Sequence, residues 1–123
     1  MTALVYSYKD LIVWQKSIDL AVELYTLTEN FPRSEVYGLS SQMRRAAISI
    51  SSNIAEGRRR GTRKDFTQFL RIAYGSGAEL ETQLLISQRV IKGNNVKYEK
   101  VDLLLNEVMR MLNVMIKKIN PTT

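Results

Sequence analysis

Five cations, Arg58, Arg59, Arg60, Arg63 and Lys64, fall within seven consecutive positions of the stretch NIAEGRRRGTRKDF, Asn53 to Phe66. Planar guanidinium groups match phosphate oxygens through paired hydrogen bonds. Thr62 is suited to open a helix, and the free N–H groups of a helix start also favour anions. The chemistry this pattern supports is polyanion binding. The competing reading is a solvated loop in which some of the arginines cap carbonyls at the end of the preceding helix.

The distribution of charge favours the first reading. The 18 Lys and Arg against 12 Asp and Glu give a net charge of +6. Residues 33–71 hold nine cations (Arg33, Arg44, Arg45, Arg58, Arg59, Arg60, Arg63, Lys64, Arg71) against Glu35, Glu56 and Asp65, a local balance of +6. Residues 1–32 contribute −2 and residues 72–123 contribute +2. Charge of one sign concentrated in a single region makes a field that attracts polyanions, whereas scattered charge mainly serves solubility.

Other chemistries are poorly supplied. The chain has no Cys and no His, which removes thiolate nucleophiles, cysteine-ligated zinc, disulfides and any Ser-His pair. Glu79 and Glu81, two apart on a helix, stand about 200° apart round its axis and do not converge as an acid/base pair within one chain. Carboxylates are sparse around the basic stretch, so a magnesium-dependent nuclease site would need residues from another subunit. The expectation is a protein without catalytic residues, metal or cofactor.

The basic residues must be positioned by helices, because 3/4 apolar spacing runs through the chain and strand alternation does not. In the first segment Leu11, Trp14, Ile18, Ala21 and Tyr25 share one side, with a second stripe of Leu20, Leu24 and Leu27 beside it. Pro32 ends this helix near Glu29, and a joint runs from Asn30 to about Gly38. The second segment carries Leu39, Met43, Ala46 or Ala47, Ile50 and Ile54, with small residues that allow close packing. Gly57 is expected at its C′ position. Gly57 to Thr62 then forms a short junction, with Asp65 completing a capping-box-like start to the next helix.

Phe66, Leu70, Ala73, Gly77, Leu80, Leu84 and Ile91 continue to about Lys92, a helix of about 30 residues and about 45 Å. Gly75 and Gly77 inside it each cost about 1 kcal/mol relative to Ala, so a close contact or a kink is expected there. Lys92 to Asn95 (KGNN) is a turn. The last helix, about Lys97 to Asn120, places Val101, Leu104 or Leu105, Val108, Leu112, Met115 and Ile119 on one side, and Pro121 closes it. The expected fold is all-α, an up-down four-helix bundle forming a single domain over residues 1–123. Leu20 and Leu24, Leu85 and Ile86, and Met109 and Met111 exceed what one bundle's core stripe needs, which suggests burial between subunits.

Other conspicuous residues have structural readings. Arg44 and Arg45 are about 100° apart on a helix, so one is expected to face solvent while Arg45 pairs with Glu56, Glu79 or Glu81. Asn53 and Glu56, set between Ile50, Ile54 and Gly57, read as a buried polar network fixing helix register. Trp14, Tyr25, Phe66 and Phe69 read as core, with Tyr37 and Tyr74 as the exceptions able to stack on bases. The longest apolar run, Leu11 to Trp14, cannot span a membrane. The amino-terminal MTALVYSYKD lacks a secretory pattern, and a cytoplasmic location is expected.

DLIVWQKS (Asp10 to Ser17), YGLSSQMRRAAISISSNIAEG (Tyr37 to Gly57) and FLRIAYGSGAELETQL (Phe69 to Leu84) resemble the small four-helix-bundle proteins encoded by intervening sequences within bacterial 23S ribosomal RNA genes. The similarity spans about Tyr8 to Asn120. It implies a ring-like homopentamer with a central channel, and nucleic-acid binding as the favoured activity. Accessory proteins of diversity-generating retroelements, in which a basic pentamer works with a reverse transcriptase and RNA, are similar in fold.

Residues and resemblance together lead to a non-enzymatic, homo-oligomeric nucleic-acid-binding protein, with RNA ahead of DNA as the partner. Phosphate contacts are assigned to Arg44, Arg58, Arg59, Arg60, Arg63 and Lys64, and a structural polar network to Arg45, Asn53, Glu56 and Glu79. Low sequence specificity is expected, because no recognition helix or base-reading loop is evident. The alternative is a protein-interaction adaptor, such as an accessory subunit of a reverse transcriptase or of a ribosome-associated complex.

Overall fold

A computed structural model describes residues 7–93 and 96–119, with the backbone alone at Val36. Asn94, Asn95, Asn120 and Pro121, assigned above to a turn and a helix stop, lie outside the described residues. Among the described residues there are four long helices and no strand: α1 (Ile12–Glu29), α2 (Ser41–Arg60), α3 (Arg63–Val90) and α4 (Glu99–Ile119). None of them is long and apolar enough to cross a membrane.

Local sequence accounts for most of the boundaries. Before α1, a 3-10 turn at Tyr8–Asp10 is held by Ser7, whose Oγ accepts from the Lys9 N–H (3.1 Å) and whose own N–H donates to the Asp10 carboxylate (3.3 Å). This capping box went unread in the sequence. Helix α1 closes at Asn30, whose N–H donates to the Leu27 carbonyl (3.2 Å), and Pro32 has no N–H with which to continue. The α1–α2 joint is not a plain loop. A 3-10 turn at Arg33–Glu35 runs into a π-helical turn at Val36–Ser40, kinked at Gly38, which feeds directly into α2.

The junction between α2 and α3 departs from the sequence reading. Gly57 does not end α2; it lies inside the helix and is buried, and α2 continues another turn to Gly61, which adopts a left-handed φ of 87°. A position near αL is open to Gly without the clash a Cβ would bring. Thr62 follows in extended geometry, and its Oγ1 accepts from the Asp65 N–H (3.1 Å) to start α3. Arg58, Arg59 and Arg60 are therefore the last turn of a helix, and only Gly61 and Thr62 separate the two helices.

Paired positions show the helix directions. Along α2 and α3, the Ser49 and Ser76 hydroxyls meet at 2.8 Å while Gly57 faces Phe69. Along α1 and α4, Lys16 pairs with Glu107 (3.1 Å) and Glu23 with Lys100 (2.9 Å). As one number rises its partner falls, so these neighbours are antiparallel. Helix α1 packs on α2 and α4, and α3 packs on the same two, which is the cyclic arrangement of an up-down bundle.

The core runs the length of the bundle: Val13, Leu20, Leu24 and Leu27 from α1, Met43, Ala46, Ala47, Ile50 and Ile54 from α2, Leu70, Ala73, Leu80 and Leu84 from α3, and Val101, Leu105, Val108, Met109 and Leu112 from α4. Each fully buried leucine contributes about 2 kcal/mol of transfer free energy. This overturns two expectations. The second α1 stripe is the core, whereas Trp14, Ile18 and Ala21 flank it and Tyr25 is exposed. Leu20, Leu24 and Met109 are buried within the subunit, so they are not surplus for an interface, while Leu85 and Ile86 remain 53% and 46% exposed. Apolar periodicity cannot tell a helix's central stripe from its flank when both are continuous.

The glycines of α3 differ in their surroundings. A Cβ on Gly77 would run into the thioether of Met109, so α3 and α4 approach closely there; at Gly75 nothing lies within 4 Å of the same position.

Candidate nucleic-acid interface

The five cations of the α2–α3 corner occupy different environments. The Arg60 Nε donates to the Glu56 carboxylate (2.9 Å) one turn earlier, and its guanidinium lies 5.1 Å from the centre of the Phe69 ring on α3. Both charged groups are half exposed, so the pair adds little stability but fixes the direction of the side chain. Arg58 is half-buried and lines a cleft of about 240 Å³ with Gly61, Thr62, Arg63, Phe66 and Ile119. Arg59, Arg63 and Lys64 are exposed.

Helix electrostatics separates these residues further. The carboxyl end of a helix carries partial negative charge, so Arg58, Arg59 and Arg60 in the last turn of α2 stabilise it. Arg63 and Lys64 are the first two residues of α3, where the dipole is positive and anions are favoured. Only Asp65 in that turn has the stabilising sign.

Arg44 and Arg45 have places opposite to those expected. Arg44 is half-buried: its Nε donates to Thr28 Oγ1 (2.8 Å), and its guanidinium sits 4.2 Å from the centre of the Tyr25 ring. It clamps the start of α2 to the end of α1. Arg45 is the exposed one, and it lines an open cleft with Tyr37, Ser41, Gln42, Ser49 and Glu79.

The remaining polar set does not form one network. The Asn53 amide donates to the Ser49 carbonyl (2.8 Å) and to its Oγ (3.0 Å), and through Ser49 it reaches Ser76 on α3. The link from α2 to α3 is made by Ser49, and Asn53, half-buried and not buried, bonds back to that serine one turn earlier in its own helix. Glu56, expected to be buried with it, is exposed and serves Arg60. Glu79 and Glu81 line different clefts, the second with Gln88 and Asp102. Tyr37 and Tyr74 are exposed at 96% and 37%, while Trp14 packs edge-on to Tyr8 (5.2 Å between centroids).

The fold adds residues that the sequence reading left out. Alternating directions put the end of α2, the starts of α3 and α1 and the end of α4 together, and Ile119 touches the α2–α3 corner. Lys9, Lys117 and Lys118, all exposed, thus join Arg58, Arg59, Arg60, Arg63 and Lys64 at one end of the bundle, against Asp10, Glu56 and Asp65. At the other end Arg33, Arg44, Arg45, Arg89, Lys92, Lys97 and Lys100 stand against Glu23, Glu29, Glu35, Glu99 and Asp102, a smaller excess. Counting chain direction through four alternating helices would have brought Lys117 and Lys118 to the corner.

Fold and site define an all-helical up-down bundle with a cationic end. The family described as 23S rRNA-intervening sequence protein matches residues 9–114, and the chain belongs to that family. A crystal structure of a protein of unknown function from the S23 ribosomal protein family of Bacteroides thetaiotaomicron VPI-5482 is similar in fold, with a TM-score of 0.76 and 28% identity over 86% of this chain and 96% of that one. The chain matches no curated protein.

Proposed function

We propose that the protein is a non-enzymatic, homo-oligomeric nucleic-acid-binding bundle, with RNA ahead of DNA as ligand and little sequence selectivity. The observation that carries this reading is the placement of Arg63 and Lys64 at the first two positions of α3. Cations there oppose the helix dipole by about 0.3–1 kcal/mol each. Folding gives no reason for them, whereas a phosphate brought to the corner would meet both cations and the free N–H groups of the helix start.

Self-association is supported by Leu85, Ile86, Val90 and Leu103, apolar residues 46–67% exposed in the single subunit. Repetition of the corner by symmetry would multiply a modest affinity. A pentamer is the number the family resemblance implies.

The test is binding of a structured RNA by the triple variant Arg59→Ala, Arg63→Ala, Lys64→Ala, whose side chains are exposed. Five cations displacing counterions would give a slope of log K against log salt of about −3.5 to −4.5 per engaged subunit. With Arg60 held by Glu56 and Arg58 half-buried, about three count, and the expected slope is about −2.1 to −2.7. Unchanged affinity of the triple variant at low salt rules the site out, and loss of the RNA itself would point to an enzyme.

A further inference from the structure

We infer that the nucleic-acid surface is the whole cationic end of the bundle, with Lys117 and Lys118 of α4 contacting the same strand as the α2–α3 corner. The ligand unit it recognises is then a run of linked phosphates, not a single phosphate or mononucleotide. This deepens the function proposed above and rests on it.

Three observations carry the inference. Ile119, the residue after Lys118, packs into the corner cleft beside Arg58 and Arg63, so the last turn of α4 is physically continuous with the corner. The two ends of the bundle differ in charge although they are built from the same four helices: eight cations against three carboxylates at this end, seven against five at the other. The cleft between them is open and small, and it is floored by Phe66, Thr62 and Ile119, so it offers no enclosed cage for one anion.

The geometry decides the ligand class. Exposed cations each contribute little to a lone phosphate in water. Neighbouring helices sit about 8–10 Å apart, so cations on adjacent helix ends span about 20 Å at most, and a stacked strand, which advances ~3.4 Å along its axis per phosphate, covers that distance with about six phosphates. Only a chain of that length engages α2, α3 and α4 together and adds their contributions.

The experiment follows fluorescence anisotropy of a labelled single-stranded RNA of about 20 nucleotides with the full-length protein, between about 50 and 200 mM salt. The variants are Lys117→Ala/Lys118→Ala, the corner triple variant above, and Arg33→Ala/Lys97→Ala at the opposite end. Removing the two α4 lysines is expected to weaken binding several-fold and to flatten the log–log salt slope by about 1.4, with Arg33→Ala/Lys97→Ala unchanged. Mononucleotide is expected not to compete at concentrations where an unlabelled hexanucleotide does. If the corner variant weakens binding but the α4 variant leaves affinity and slope unchanged, this inference fails while the proposed function stands. If neither variant weakens binding, the nucleic-acid reading itself falls. Circular-dichroism melts of each variant confirm that folding is retained, since all the altered side chains are exposed.

Discussion

Gly57 of α2 lies so close to α3 that a Cβ placed on it would stand 2.5 Å from the Cβ of Phe69 and 3.3 Å from the Phe66 ring. The contact is between atoms next to the backbone, so no side-chain rotation relieves it. It sets the spacing of the two helices immediately before Arg58.

That relationship separates three helical glycines by their response to alanine. Gly57→Ala is expected to destabilise by about 1–3 kcal/mol through overpacking. Gly75→Ala, with open space around it, is expected to stabilise by about 0.5–1 kcal/mol by removing backbone freedom from the unfolded chain. Gly77→Ala falls between them, because the Met109 side chain it meets is flexible. Thermal melts at one fixed protein concentration check the order, at about 4 °C per kcal/mol for a domain of this size. A loss of stability from Gly75→Ala would place another subunit's backbone on that glycine.

Arg44 is expected to act on folding and not on ligand affinity. Arg44→Ala removes the bond to Thr28 and the stacking on Tyr25, for a loss of about 1–2 kcal/mol. Urea denaturation measures the loss. An intact melt accompanied by a large drop in RNA affinity would return Arg44 to the phosphate-contacting set.

Arg63 and Lys64 are expected to show opposite signs in two assays. Arg63→Gln/Lys64→Gln removes cations from the positive end of the α3 dipole, so thermal stability rises by a few tenths to about 2 kcal/mol for the pair while RNA binding weakens. Paired melting and anisotropy measurements decide the point. A variant that loses stability would show that these cations serve the fold.

Asp102 is expected to titrate above the ordinary aspartate value of 3.8, because burial disfavours its charged form, although a hydrogen bond from the Gln88 side chain works the other way. The folded protein then binds this proton more tightly than the unfolded chain does. The group's contribution to stability is greatest below 3.8 and is lost as pH rises through the folded value. Carboxyl chemical shifts against pH measure it, and Gln88→Ala is expected to raise the midpoint further.

Much of the architecture was legible because it is local. Pro32 after α1, Thr62 with Asp65 before α3 and the 3/4 apolar spacing act over one or two turns, and each led to the right element. The errors have physical causes of the same kind. Gly57 and Gly61 both suit a helix end, and only the approach of Phe69 shows that Gly57 is needed for packing inside α2. The Leu20 stripe and the Trp14 stripe of α1 are equally apolar, and which one is central depends on how α1 is rotated against α2 and α4.

The sequence by itself determined four helices, an all-helical fold and a concentration of positive charge between the second and third helices, since composition, caps and periodicity act along the chain. Tertiary structure alone decided which arginine faces water. Arg44 and Arg45 are adjacent and chemically identical, and they part only because the end of α1 offers Tyr25 and Thr28 to one side of α2. It alone also brought Lys117 and Lys118 to the basic corner, more than fifty residues away along the chain. Antiparallel packing joins ends that the sequence keeps apart, and charge acts through distance in space, not separation along the chain.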